Sequence, residues 1–393
     1  MLMVDDARRA AWERYESLPW PVRTDEEWRR TDPKLLPPAP TDPEARQGAL
    51  KPGWETPAPE AIRSGVILSD LETATKQFPD LVEQTLFQTG EPGQLRKFAA
   101  LHQAVARQGL FCFVPDGVKL ELPLRSWIET ANGPMVYPHV VIVVGKDSEL
   151  TLVDERRSAA GSTEPFFSNE MVEIVVREGG VLRTVHLQRW NPSVSELFSQ
   201  RAILETNAQL LDITVGLGGK LTKANVETAL QGAGARADLL GIFFGAGKQH
   251  FDFHTLQDHQ APHTFSDLLY KCALSDQAES IYTGLIRIAK QAQKSDAYQA
   301  NRNLLLSQGA KADSVPMLEI EADDVRCTHG VAVGPVDEEQ AFYLMSRGLS
   351  ATEAERLIVE GFFEQILKRI PMGDLREQLS EEIAGRLKTG ARS

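Results

Sequence analysis

From Leu110 to Leu306 the apolar residues fall in short runs with the two-residue alternation of extended chain, whereas helical spacing is confined to the two ends. LFCFV at 110–114, HVVIVVG at 139–145, ELTLVDE at 149–155, VEIVV at 172–176 and VLRTVHLQ at 181–188 are β-branched and bounded by Gly, Pro or Asp, a pattern that predicts strands. Segments of the same kind continue through ILET, LLDITVG, LTKANVETAL, ARADLLGIFFG, FDFHTLQ, TFSDLLYKCAL, SIYTGLIRIA and LLLS. A strand region this long without helices means a sandwich, a barrel, a propeller or a β-solenoid. It is long for a sandwich, and it shows no strict repeat of the kind propellers carry, so periodicity alone leaves the architecture open.

The ends read differently. Residues 4–16 fit a short helix, interrupted by Leu18, Pro19, Trp20 and Pro21. Eight prolines between Pro33 and Pro59 predict an extended connector, since that density excludes regular helix or central strand. A helix is expected near Asp70–Gln77. A second is expected over Pro92–Gln108, with Leu95, Phe98, Ala99, His102, Val105 and Ala106 on one stripe and Gly109 as its stop. Near the other terminus, Asp337 with Gln340 and Ser350 with Glu353 read as capping boxes. The helix after Ser350 presents Ala354, Leu357, Ile358, Phe362, Ile366 and Ile370 until Pro371, and a last segment spaces Leu375, Leu379, Ile383 and Leu387 four apart. The expected organisation is a helical region at 1–108 containing the 33–59 connector, a strand core at 109–334 and a helical domain at 335–393.

Charge and composition narrow the function. A formal charge of −13 and a pI near 5.2 argue against a nucleic-acid surface, which needs a clustered basic footprint. No 18-residue apolar run exists to span a membrane, and the charged start MLMVDDARRAAWERYE is unlike a signal peptide. Three dispersed cysteines, Cys112, Cys272 and Cys327, disfavour a disulfide framework, which fits a reducing cytoplasm. Nucleotide binding is not expected. Gly219-Lys220 and Gly247-Lys248 lack both the following Ser/Thr and the earlier Gly of a phosphate-cradling loop, whose places hold Leu221 with Thr214 and Gln249 with Ile242.

The best chemistry-bearing pair is Cys327 with His329. If Asp323–His329 is extended, Asp323, Val325, Cys327 and His329 share a face, and a thiol and an imidazole project together. The bland alternative is a cysteine packed as a small hydrophobe. Arg326 favours a thiolate if it is close, while Asp323 and Asp324 oppose it. If the pair holds a metal centre, which generally needs about four protein ligands, the rest must come from elsewhere, and a second subunit is the economical source. A second constellation is His250, Asp252 and His254, which share a face on a strand in a passable metal-binding arrangement by ligand type, with His259 and His263 farther on.

The runs KSDAYQANRNLLL (294–306), PMLEI (316–320) and ADDVRCTHG (322–330), continued by DEEQAFYLMSRG (337–348) and EGFF (360–363), resemble the carboxy-terminal core of the SufB/SufD family of iron–sulfur cluster assembly scaffolds. The SufD branch is the closer of the two. EEWRRTD (26–32) is similar to a sequence the family carries near its amino terminus, and His263-Thr264, Ser266 and Tyr270-Lys271 resemble a SufD motif. Cys272 departs from that motif, where a small residue is expected, and reads as packing.

The resemblance implies a mainly β fold, a right-handed parallel β-helix between helical ends. It implies a SufB-like partner, with Cys327 and His329 near the junction and a transient iron–sulfur cluster or iron held there. It also implies a SufC-like ATPase docked on the carboxy-terminal helices, where Leu357, Ile358, Phe362 and Ile366 are the candidate contacts. The chain itself is then a non-catalytic scaffold, with a homodimer open to it when alone. Two rival readings stand beside this one. A β-helix carbohydrate-active enzyme needs paired carboxylates along a groove, and the adjacent Asp323 and Asp324 point to opposite faces. A purely structural homodimer would use Cys327 and His329 only as interface packing.

Overall fold

The computed structural model describes residues 2–38, 40–42, 47–86 and 95–390. The amino-terminal region comprises α1 (Leu2–Ser17), β1 (Ala49–Trp54), α2 (Pro59–Arg63), β2 (Ile67–Asp70), α3 (Leu71–Gln77), α4 (Pro79–Thr85) and α5 (Arg96–Val105). Asp70 caps α3, its carboxylate accepting from the Thr73 N–H. The expected helix over Pro92–Gln108 is shorter than its pattern. It occupies Arg96–Val105, Pro92 lies outside the described residues, and Gly109 opens a strand instead of ending the helix. All six residues of its predicted stripe are buried. The proline-dense connector is not wholly irregular either. Pro33–Leu35 is a short 3-10 turn, and β1 with Pro52 pairs antiparallel at a sheet edge, where a missing N–H is tolerated.

Seventeen strands follow. They are β3 (Gly109–Val114), β4 (Leu124–Asn132), β5 (Met135–Val136), β6 (His139–Val144), β7 (Glu149–Ser158), β8 (Phe167–Val176), β9 (Val181–Arg189) and β10 (Ser195–Leu204), then β11 (Gln209–Gly216), β12 (Leu221–Leu230), β13 (Arg236–Gly245), β14 (His250–His259), β15 (Phe265–Leu274), β16 (Glu279–Ile288), β17 (Asp296–Leu305), β18 (Lys311–Ile320) and β19 (Arg326–Pro335). Alternate strands go to two sheets. One runs β1-β4-β7-β9-β11-β13-β15-β17-β19 and the other β2-β3-β6-β8-β10-β12-β14-β16-β18, with β5 beside β8. Every pairing along β3–β19 is parallel, so the chain winds as a β-solenoid of about 8 turns. The protein is mainly β, with 43% strand against 24% helix and helices at both termini.

A ladder along one corner fixes the winding. Gly117, Asp147, Gly179, Asn207, Gly234, His263 and Lys294, spaced 27 to 32 residues apart, all adopt positive φ. Through the first six, each N–H donates to the carbonyl that precedes the next rung, and the Lys294 N–H reaches the Asp324 carbonyl. Gly, Asn and Asp dominate because that corner demands left-handed backbone.

Between the sheets lies an apolar core running from Leu50 through Leu150, Leu182, Leu210 and Phe243 to Ala310. The outer face of the β19-bearing sheet is covered by α7 (Ala351–Leu367) and α8 (Gly373–Gly390), with α6 (Glu338–Ser346) beside α7. Ser350 and Glu353 form the expected reciprocal capping box, and Asp337 accepts from the N–H groups of Glu339 and Gln340. The inward stripe of α7 is rotated from the expected one. Ala354, Val359, Phe363, Ile366, Leu367 and Ile370 are buried, while Leu357 is exposed and Ile358 and Phe362 are half-buried. Leu375, Leu379, Ile383 and Leu387 of α8 are buried in the same cluster, each worth about 1.5–3 kcal/mol of burial.

Candidate functional site

The sheets end at β18 and β19, the last coil of the solenoid. Strand geometry begins only at Arg326, so Asp323 and Val325 precede the strand and do not extend the Cys327–His329 face as expected. Cys327 and His329 do share a face, about 6.6 Å apart along the strand. They sit in register with Ala297 and Gln299 of β17, on the side that faces between the sheets. His329 is exposed and Cys327 half-buried against Ala297, Ala322 and Val325. Burial and the Asp296 carboxylate push the Cys327 thiol up to about 11, so it is a protonated thiol in the single chain.

The two free edges are not equivalent. In β18 the odd residues are turned toward β16, as the Lys311 N–H bond to Ala278 shows, so the even positions face outward. Pro316 falls at an even position and removes a donor from the middle of that edge. In β19 the Arg326 N–H bonds Ser295, so the even residues face β17, and Cys327, His329, Val331 and Val333 turn their N–H groups outward. Val331 and Val333 are 45% and 44% exposed, and Met317, Leu318 and Ile320 are also exposed. The end coil is thus apolar, pairing-competent along β19, and bears the thiol and imidazole.

The His250–Asp252–His254 face is brought together as expected, but its centre holds an ammonium. Lys223 donates to Asp252 at 2.6 Å and to His254 Nε2 at 3.2 Å, and also to the Glu27 carbonyl. Thr31 donates to Asp252 and lies 2.9 Å from His250 Nε2, while the Trp28 ring stacks under Lys223. The Lys223 charge holds the Asp252 carboxyl well below the usual carboxylate range, and burial lowers His250. The position a metal would take is filled by the lysine, which overturns the metal reading of His250 and His254. Among the described residues no group of three or more His, Cys, Asp or Glu is placed to hold a metal ion. His259 is buried against Thr264 and Ser266, and His263 is a rung of the corner ladder. Cys272 packs in the core, its thiol pushed up to about 12 by burial.

One cluster carried no motif in the sequence. Arg156, fully buried between the sheets, donates to Asp154 and Glu170 at 2.7 Å each, and Glu196 close by accepts from Trp190, Gln188 and Thr222. Two carboxyls share one guanidinium, and Glu196 feels its charge without bonding it. Asp154, bonded also by Ser126, stays low, whereas burial pushes Glu170 up to about 7. His102 is likewise more than part of a stripe, bonding the Asn169 carbonyl and His139.

The SufBD core domain model of SUF-system iron–sulfur cluster assembly matches residues 127–362, and the SufBD amino-terminal region model matches 54–125. The chain belongs to the SufBD family of iron–sulfur cluster assembly proteins. Among its relatives, the iron–sulfur cluster assembly protein SufB of Bacillus subtilis is 32% identical over 314 residues, covering 78% of this chain and 66% of the relative. SufD of the same organism is 30% identical over 327 residues, covering 82% and 74%. A SufBD family protein of Mycobacterium leprae is 36% identical over 256 residues, covering 63% and 64%. The matched segments therefore span just under two thirds of the first and the last of these relatives.

Proposed function

We propose that the chain is a SufD-like scaffold subunit that pairs through its last solenoid coil with a SufB-like subunit and lends Cys327 and His329 to a nascent cluster there. The observation that carries this is the coincidence, on one end coil, of an open β19 edge, exposed valines and a thiol and an imidazole sharing one face of β19. Two ligands are half a set, so the iron and sulfide cargo would be held jointly with the partner. A metal or a partner cation at Cys327 would favour loss of its proton, as thiolate ligation requires. Near-equal identity to a SufB and a SufD does not separate the branches. The SufD assignment rests on the resemblance of the His263–Lys271 motif and of the runs after Lys294 to that branch.

The chain works without catalysis of its own, in the cytoplasm, with the nucleotide-driven step in a SufC-like ATPase. That subunit docks on α6 and α7. No side chain of α6 is buried, yet a nine-residue helix is marginal without packing, and Phe342 and Tyr343 stand 70% and 56% exposed. Leu357, Ile358 and Phe362 of α7 border a groove against α6, whereas Ile366 is buried under the helix and leaves the set. Among the described residues no helix is long and apolar enough to cross a membrane.

The test is anaerobic co-purification with SufB-like and SufC-like subunits, followed by iron and sulfide analysis of wild type and His329→Ala. Loss of cluster from an intact complex is expected. An unchanged cluster content would reduce the chain to an organiser that ligates nothing.

A further inference from the structure

The groove between α6, α7 and the end of β17 encloses about 580 Å³ and is lined by Leu304, Leu344, Leu357, Ile358 and Phe362. On the sheet beneath Phe362 and beside Leu304 lie two cations that form no ion pair with any described residue. Lys271 of β15 is buried, donates to the Phe362 carbonyl at 2.7 Å, and stands 5.1 Å from that ring's centroid. Its neighbour in register is Arg302 of β17, two residues before Leu304 on the same outer face. Burial and Arg302 push the Lys271 ammonium down to about 8, and no carboxylate acts against them. Arg302 is exposed and forms no ion pair with any described residue. Asp337, the acid among the groove's lining residues, accepts from the N–H groups that open α6.

Adjacent like charges beside a low-dielectric groove are unfavourable until an anion joins them. We propose that the α6–α7 groove receives a segment of the ATPase-like partner that carries an Asp or Glu carboxylate beside apolar side chains, with Arg302, backed by Lys271, as the residue that selects it. This rests on the reading of α6 and α7 as the ATPase docking surface. Arg302 supplies the exposed, bidentate contact, and Lys271 adds to the positive potential from beneath. Phe342, Tyr343 and Leu357 supply the apolar part of the contact. Complementary charge of this kind raises the association rate and suppresses partners that lack the acid.

The experiment measures binding of the full-length chain to the SufC-like ATPase by interferometry at low and high salt, for wild type, Arg302→Glu, Arg302→Lys and the double variant Phe342→Ala/Leu357→Ala. Arg302 is exposed, so its replacement leaves the fold intact. The expected result is a loss of about tenfold or more for R302E at low salt. Its salt dependence should be shallower than that of wild type, and R302K should keep most of the affinity. Wild-type affinity and salt dependence in R302E, with binding abolished in the double variant, would overturn the inference and leave the docking surface standing. Unchanged binding in both would remove the docking surface, and the inference with it.

Discussion

His254 and His329 occupy opposite sheets of one solenoid, each on a strand beside a ligand-type side chain, and they differ in what lies over them. At His254 the segment from Glu26 to Thr31 crosses the sheet, Lys223 neutralises Asp252, and Thr31 bonds both Asp252 and His250. At His329 no further strand of the described residues follows β19 in its sheet, and the imidazole is exposed. Side-chain type is the same in the two places. Satisfaction separates them, because a buried polar group with its partners in place is finished structure, whereas an open one invites a partner.

That contrast fails or sharpens under substitution. Asp252→Ala leaves the Lys223 ammonium buried without its acid and should cost about 3–5 kcal/mol. His329→Ala, at an exposed site, should stay within about 0.5 kcal/mol. Thermal or denaturant unfolding of the two variants checks this, and comparable losses would erase the distinction between the patches. Alkylation of Cys327 at pH 8 should run about a hundredfold slower in the folded chain than in the denatured one, because its pKa of about 11 leaves little thiolate. Mass-spectrometric labelling rates decide it, and fast labelling would mean that the coil already presents a thiolate.

The interior carries a pH-dependent effect. The Glu170 carboxyl is raised in the fold from an ordinary 4.5 to about 7. Its neutral form therefore contributes stability that is complete below about pH 4.5 and fades as pH rises through about 7. Glu170→Gln should remove that fade. The difference in stability between variant and wild type should move in the variant's favour from pH 5 to 8. A difference that stays flat would mean that Arg156 keeps Glu170 ionised throughout.

Much of this was readable from residues. The alternation after Leu110, the helix near Asp70, the Ser350 cap and the helical carboxy terminus all appear where local pattern put them, since caps and period-two burial are decided within a few residues. The family resemblance then chose the solenoid that periodicity alone had left open. The winding had its own sequence signature, the Gly, Asp and Asn positions at intervals of 27 to 32, too degenerate to stand out as a repeat until the corner geometry gave it meaning. In α7, Phe362 and Phe363 are both apolar, so pattern could not say which faces inward, and it is Phe363. The cover on His250 and His254 comes from Glu27 and Thr31, some 220 residues earlier, which no local pattern reports.

The central claim is that β19 is an edge kept for another chain, and Val331→Pro tests it most directly. The Val331 N–H faces the open edge, so proline there spares the bonds to β17 while removing a donor from any added strand. The measurement is native mass spectrometry of V331P co-expressed with the SufB-like subunit, beside its melting temperature alone. The account predicts loss of the heterodimer with the melting temperature nearly unchanged. A heterodimer that survives V331P at wild-type abundance would contradict it.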